Sequence, residues 1–149
     1  MYSKYAGGSI AGMMFRKSMY DTTPGVNYLK DLIKGEHGGK TGFQRKVVCD
    51  AVDSETGEVN VLTETSVPFS EWNKAIMASA SVPGIFPNTN VLGHPLMDGM
   101  AAYNTDVEAA IKRCLEIVPD KTDGTKNIIL DILICEDSPK EAPALDEEK

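Results

Sequence analysis

The fold is decided by two short blocks, Ala78-Ser-Ala-Ser-Val-Pro-Gly-Ile-Phe-Pro87 and Leu96-Met-Asp-Gly99. The prolines and the glycine of the first block predict a bend, because both residue types interrupt regular elements. The Asp-Gly pair that closes the second block is a common turn dipeptide, and taken alone it predicts only a tight turn. Between the blocks we expect a short strand pair around Val91-Leu92 and Pro95–Met97.

A helix is predicted immediately before the first block. Trp72, Ile76 and Met77 are apolar and recur at helical spacing. Ser70 is expected to cap this helix, which must end before Pro83 because proline disfavours helical geometry in the residue that precedes it.

A further helix and a hairpin are predicted upstream. Thr22-Thr23-Pro24 offers a hydroxyl cap and a first-turn proline, and apolar residues then recur at helical spacing until Gly35. The sequence predicts a strand over Arg45–Val52, a turn at Ser54-Glu-Thr-Gly57, and the second strand of the hairpin over Glu58–Thr63.

The C-terminal part continues the alternation of helices and strands. Asp106 is expected to cap an amphipathic helix. Asn127–Cys135 is almost continuously apolar, which is typical of a central strand covered on both faces. Strands that alternate with helices indicate an α/β fold rather than a β-sandwich.

Composition limits both the domain organisation and the partners. The chain has 149 residues, of which 42% are hydrophobic, and a formal net charge of −7. Such an acidic chain is a poor partner for nucleic acid. Residues 1–135 are predicted to form one folded unit, whereas 136–149, rich in acidic residues and proline, is predicted to be a disordered tail. Met1–Ala6 lacks the apolar core of a signal peptide, and no apolar run is long enough to span a membrane.

Several kinds of site are excluded by residue spacing. His37 and His94 belong to no metal-binding pattern, so we predict no metal site. Gly38-Gly-Lys-Thr41 is not a phosphate-binding loop, because Lys34 stands where the first glycine of that motif is required. The cysteines match neither a disulfide framework nor a metal knuckle, and we expect free, buried thiols, which are typical of a reducing compartment. They are Cys49, Cys114 and Cys135.

Ser9 is a candidate nucleophile, in the stretch Tyr5-Ala-Gly-Gly-Ser-Ile-Ala-Gly12. A nucleophile elbow needs glycine two residues before and two residues after the serine, and a buried strand in front of it. Ala11 occupies the second glycine position, and the residues before the stretch are too few and too polar for such a strand. The favoured interpretation is a glycine-rich connector.

The order of these blocks resembles the patatin-like phospholipase family. Ala78–Pro87 resembles the family's A-x-x-A-S-x-P-x-x-F-P segment, and Asp98-Gly99 followed by Asn104 resembles its DG[GA] motif and the asparagine after it. Ser18-Met-Tyr-Asp-Thr-Thr-Pro24 is similar to the family's S-L-Y-D-T-x-P segment, and Val48–Gly57 to its V-x-A-T-D-x-x-T-G strand and turn. The resemblance covers residues 2 to about 135.

The resemblance implies a three-layer α/β/α fold and a lipid acyl hydrolase with a Ser-Asp dyad. In such a dyad the serine attacks the ester carbonyl, and the aspartate accepts the proton of the serine without an intervening histidine. By the match, Asp98 is this base and Gly99 keeps the backbone tight beside it. The implied partners are a lipid or phospholipid substrate and, transiently, a membrane surface, with no cofactor.

Three departures from the family pattern shape the functional hypothesis. Met100 replaces the small third residue of the DG[GA] motif, where a long side chain would crowd the nucleophile or narrow the acyl channel. Neither the G-G-G-x-x-G oxyanion loop nor the GxSxG elbow is found. The chain is therefore expected to be the C-terminal part of a patatin-like domain that supplies the aspartate, with the N-terminal half of the domain as its missing partner. The alternative is a non-catalytic remnant that binds lipid or protein, and a cytoplasmic or membrane-associated location is expected in either case.

Overall fold

The computed structural model describes residues 3–5, 7–36, 42–102, 105–118 and 124–133. Within these ranges, helices alternate with strands along most of the chain. The helices are α1 (Gly8–Arg16), α2 (Thr23–Glu36), α3 (Trp72–Ser79) and α4 (Val107–Leu115), and the strands are β1 (Ser3–Lys4), β2 (Tyr20–Asp21), β3 (Val48–Asp53), β4 (Val59–Thr63), β5 (Thr89–Val91) and β6 (His94–Asp98). Three short 3-10 turns cover Phe69–Glu71, Gly99–Ala101 and Gly124–Asn127.

A four-stranded antiparallel sheet with the order β4-β3-β6-β5 organises the molecule. On one face α3 packs on β3, β5 and β6, and α2 packs on α3. Side chains alternate between the faces of a strand. Cys49 points towards α3, with its Sγ 3.9 Å from the Ala75 carbonyl oxygen, so Asp50 points to the opposite face, where α4 packs on β3. The described residues therefore form an α/β fold with helices on both sides of the sheet.

The core lies between α3 and the sheet. Trp72 is buried at its centre and donates a hydrogen bond from Nε1 to the Val67 carbonyl oxygen at 3.1 Å. The ring of Phe43 meets Trp72 edge-on, with ring centroids 5.0 Å apart. Alanines at 75 and 78 are fully buried and allow the helix to approach the sheet closely. The hydrophobic cluster is completed by Ala51, Leu62, Val91 and Leu96.

Most of the predicted elements are confirmed, with small changes at their ends. The upstream helix, the hairpin and the short strand pair are all present, and the Asp106 carboxylate caps α4 by accepting the Ala109 N–H at 2.8 Å. Two predicted caps are wrong. Ser70 lies inside a 3-10 turn before α3, and the Asp21 carboxylate, rather than a threonine hydroxyl, accepts the Thr23 N–H at 2.9 Å.

The predicted central strand over Asn127–Cys135 is wrong for its described part. Asn127 ends a 3-10 turn, and residues 128–133 have no regular secondary structure. Ile129 and Leu133 are 90% and 89% exposed. This segment pairs with none of the four strands of the sheet, so its apolar side chains are not covered. Residues 134–135 and the predicted tail 136–149 lie outside the described residues.

Candidate active site around Asp98

Asp98 is the last residue of β6 and the cap of the 3-10 turn that follows it. Its N–H donates to the Ser81 carbonyl oxygen at 3.0 Å. Its carboxylate Oδ1 accepts the Met100 N–H at 2.9 Å, and the residue is half-buried. The bond to Ser81 thus fixes the backbone of Asp98. The bond from Met100 holds one carboxylate oxygen in a defined direction.

Gly99 lets the chain turn directly against the neighbouring strand. Gly99 is buried, and a Cβ atom at this position would lie 2.6 Å from the carbonyl oxygen of Asp50 and 3.0 Å from its carbonyl carbon. Real side chains essentially never approach a backbone atom so closely. At residue 99 the backbone therefore lies so close to β3 that only glycine, which has no Cβ atom, fits after Asp98.

The block Ala78–Pro87 acts as a scaffold that positions Asp98. The Ser81 hydroxyl is buried and donates to the Met77 carbonyl oxygen at 2.7 Å, while the Ser81 carbonyl accepts the Asp98 N–H. The Ile85 carbonyl accepts the N–H groups of Met19 and Tyr20 at 3.0 and 3.1 Å. Three segments that are far apart in sequence are joined by these bonds. The Ser81 hydroxyl takes part in the fold and is not placed as a nucleophile.

Beneath Gly99 lies a carboxyl group that the sequence analysis missed. Asp50 Oδ1 is buried, and among the described residues it has no hydrogen-bond partner. Burial raises the pKa of Asp50 to about 6, and the neighbouring Asp106 carboxylate adds to this effect. The alternation of side chains along β3 could have identified Asp50, because its two neighbours in the strand face α3 and its own side chain must point to the α4 side.

Replacing Asp50 by asparagine is expected to stabilise the fold at neutral pH. The folded-state pKa of about 6 exceeds the ordinary value of 3.8, so the contribution of Asp50 to stability is fully present below about pH 4 and is lost as the pH rises through 6. An asparagine side chain mimics the protonated carboxyl group. We expect Asp50→Asn to add about 1 kcal/mol at pH 7.5, after allowance for solvent screening, and nothing at pH 4. Urea unfolding at the two pH values measures this, and the exposed Asp31→Asn is the control. An equal change in stability at both pH values would contradict a raised pKa of Asp50 in the folded protein.

Ser9 does not lie in a nucleophile elbow. It stands in the first turn of α1, after Gly7 and Gly8, whose φ angles are 91° and 83°. The only strand before it within the described residues is the two-residue β1, which is exposed. No hydrogen bond between described residues joins Ser9 to Asp98. Within the described residues, the candidate nucleophile and the candidate base are therefore not hydrogen-bonded to each other.

His94 and Asp53 form a structural pair at the far end of β3. The Asp53 carboxylate accepts the N–H groups of Glu55 and Thr56 at 2.8 and 3.2 Å, and His94 Nδ1 lies 3.1 Å from it. These bonds, that from Glu55 first, keep the pKa of Asp53 below its ordinary value. The Asp-x-x-Thr-Gly segment thus works as a turn that closes the hairpin.

Other candidate residues are placed as follows. The Met100 side chain is exposed at 54%. Cys49 and Cys114 are free thiols, half-buried rather than fully buried, and burial raises the pKa of Cys49 to about 12. His37, the segment 38–41, Asn104 and Cys135 lie outside the described residues. Within the described ranges, no three His, Cys, Asp or Glu side chains are grouped to hold a metal ion. The helices in those ranges are also too short and too polar to cross a bilayer.

Comparison with known families gives a match. The family model described as patatin-like phospholipase matches residues 2–111, well over half of the chain. The matched range includes the hairpin, the block Ala78–Pro87 and Asp98-Gly99. No curated protein and no solved structure gives a significant match.

Proposed function

The chain belongs to the patatin-like phospholipase family, and from this premise we propose that it is the aspartate-bearing part of a lipid acyl hydrolase. Asp98 is the general base of a Ser-Asp dyad, and another stretch of polypeptide supplies the serine. The serine Oγ attacks the ester carbonyl while Asp98 takes its proton, and the proton then passes to the departing alcohol. Water hydrolyses the acyl-enzyme by the same route.

The geometry of Asp98 is the observation that carries this proposal. A general base needs a fixed direction and a lone pair that is not already used. The Met100 N–H holds Oδ1 of Asp98, and within the part of the chain that the structure describes no other hydrogen bond reaches this carboxylate. The remaining oxygen is available to a serine hydroxyl. Support also comes from the scaffold, because Ser81 and the Gly99 passage fix the backbone around the base.

The substrate class follows from the family. We propose a lipid or phospholipid ester, reached at a membrane surface, with the serine-bearing N-terminal half of the domain as the partner. Both reacting groups are side chains, so the mechanism requires no cofactor.

A non-catalytic module that binds lipid or protein is the second candidate. It is favoured by the position of Ser9, which stands at a helix start without a hydrogen bond to Asp98. In this alternative the fold and the surface are retained but no ester is cleaved.

Complementation separates the two candidates. The chain is co-expressed with the segment of a family member that carries an apolar strand and the GxSxG elbow, and hydrolysis of p-nitrophenyl butyrate is measured on the co-purified pair. We expect hydrolysis only when both polypeptides are present. A stable pair without hydrolysis would favour the non-catalytic module.

A further inference from the structure

Helix α1 has its small residues on the inside. Gly8, Ser9 and Ala11 are exposed less than their larger neighbours, and Gly12 is buried. A Cβ atom on Gly12 would lie 2.6 Å from the Ser18 carbonyl oxygen. The helix is therefore held by a close approach of its backbone to the protein, not by burial of large side chains.

The large apolar side chains of α1 point to solvent. Ile10, Met14 and Phe15 are 77%, 73% and 80% exposed, and Met13 is 55% exposed. Residues 10, 13 and 14 form one stripe on a helix, opposite to Gly12. A surface helix of a globular protein normally has the reverse arrangement. The surface formed by Ile10, Met13 and Met14 is the α1 stripe.

Basic residues lie near the α1 stripe in the sequence. Lys4, Arg16 and Lys17 are exposed, and residues 1–20 contain no Asp or Glu, whereas the whole chain has a formal net charge of −7. The charge of the segment that carries α1 is thus reversed relative to that of the whole chain. An anionic surface would repel the rest of the chain and attract this end.

We propose that the α1 stripe docks the protein on an anionic lipid surface. The three apolar side chains enter the boundary between head groups and acyl chains, and the basic side chains contact lipid phosphates, as in helices that lie in the plane of a membrane interface. The choice of a lipid over a polypeptide rests on the charge reversal and on the proposed function. It deepens that function by naming the surface that presents the chain to its substrate.

Vesicle sedimentation tests the docking with the full chain. We expect binding to vesicles of phosphatidylcholine and phosphatidylserine, and much weaker binding to phosphatidylcholine alone. Ile10→Gln/Met14→Gln is expected to lower the partition coefficient at least about tenfold, because two apolar side chains no longer enter the lipid. Arg16→Gln/Lys17→Gln is expected to lower it about tenfold on anionic vesicles only.

Matched variants on α2 are the controls. Tyr28→Gln/Leu32→Gln removes two exposed apolar side chains, and Lys30→Gln/Lys34→Gln removes two exposed charges, both on another helix. These variants are expected to bind like the unaltered chain. Equal losses from the α1 and α2 variants would overturn the proposal. So would the absence of vesicle binding together with self-association that Ile10→Gln/Met14→Gln abolishes, because that result assigns the α1 stripe to a second copy of the chain.

The vesicle-binding result does not depend on hydrolysis. Asp98→Asn is expected to bind vesicles normally, since Asp98 does not belong to the α1 stripe. Normal docking without hydrolysis in the complemented pair would contradict the proposed function and leave the docking surface standing. Hydrolysis of a soluble ester by the pair, without vesicle binding, would contradict the docking surface and leave the proposed function standing.

Discussion

Asp98→Asn is expected to lower ester hydrolysis by the complemented pair about 10³- to 10⁴-fold. The amide has the shape of the carboxylate, but it cannot accept the serine proton. Its oxygen can still accept the Met100 N–H that orients the native side chain. The loss should therefore appear in kcat, while the melting temperature and the association with the serine-bearing segment stay close to those of the unaltered chain.

The control for this substitution is Asp31→Asn, which removes an exposed carboxylate from α2 and should leave kcat unchanged. A substitution of the serine in the partner segment gives the background rate of hydrolysis in the assay. If Asp98→Asn keeps more than about a tenth of the activity while the serine variant keeps none, Asp98 contributes less than a general base does and its role is structural.

Gly99→Ala is expected to destabilise the fold by about 2–3 kcal/mol. The added methyl group would lie 2.6 Å from the Asp50 carbonyl oxygen, and neither atom belongs to a flexible side chain. To relieve this clash, β6 must move away from β3 at the point where Ala51 pairs with Asp98. The same movement displaces the Asp98 carboxylate, the proposed base, so we expect hydrolysis by the complemented pair to fall as well.

Gly42→Ala is the matched control for this change. A Cβ atom at Gly42 meets nothing within 4 Å, so its free energy of unfolding should change by less than about 0.5 kcal/mol. Urea unfolding of both variants measures the difference. Equal stabilities for Gly99→Ala and Gly42→Ala would show that the close passage over β3 does not constrain residue 99.

Most predictions that rest on local signals were accurate, apart from the caps at Ser70 and Thr22-Thr23. The helix before Gly35, the hairpin around Ser54–Gly57 and the cap at Asp106 each depend on a few neighbouring residues, and each is present. The α/β class followed from the alternation of these elements. Family membership followed from the ordered blocks around Asp98.

The features that depend on tertiary contacts were not predicted. An apolar run over Asn127–Cys135 indicates a strand only if the sheet offers it a partner, and the described part of that segment pairs with no strand. The pKa of Asp50 is raised because the fold buries its carboxyl group, and because Asp106, which is distant in sequence, lies near it. The outward α1 stripe likewise depends on Gly12 packing on Ser18, a contact that periodicity does not reveal.

Covalent labelling shows whether the serine on which Asp98 acts lies outside this chain. The chain is treated with a fluorophosphonate, which phosphonylates activated serines, alone and in the complemented pair, and the intact masses are measured. We predict that the chain alone gains no label, and that in the pair the label appears on the partner segment and is lost in Asp98→Asn. Labelling of the chain alone at Ser9, abolished by Ser9→Ala and by Asp98→Asn, would contradict the account.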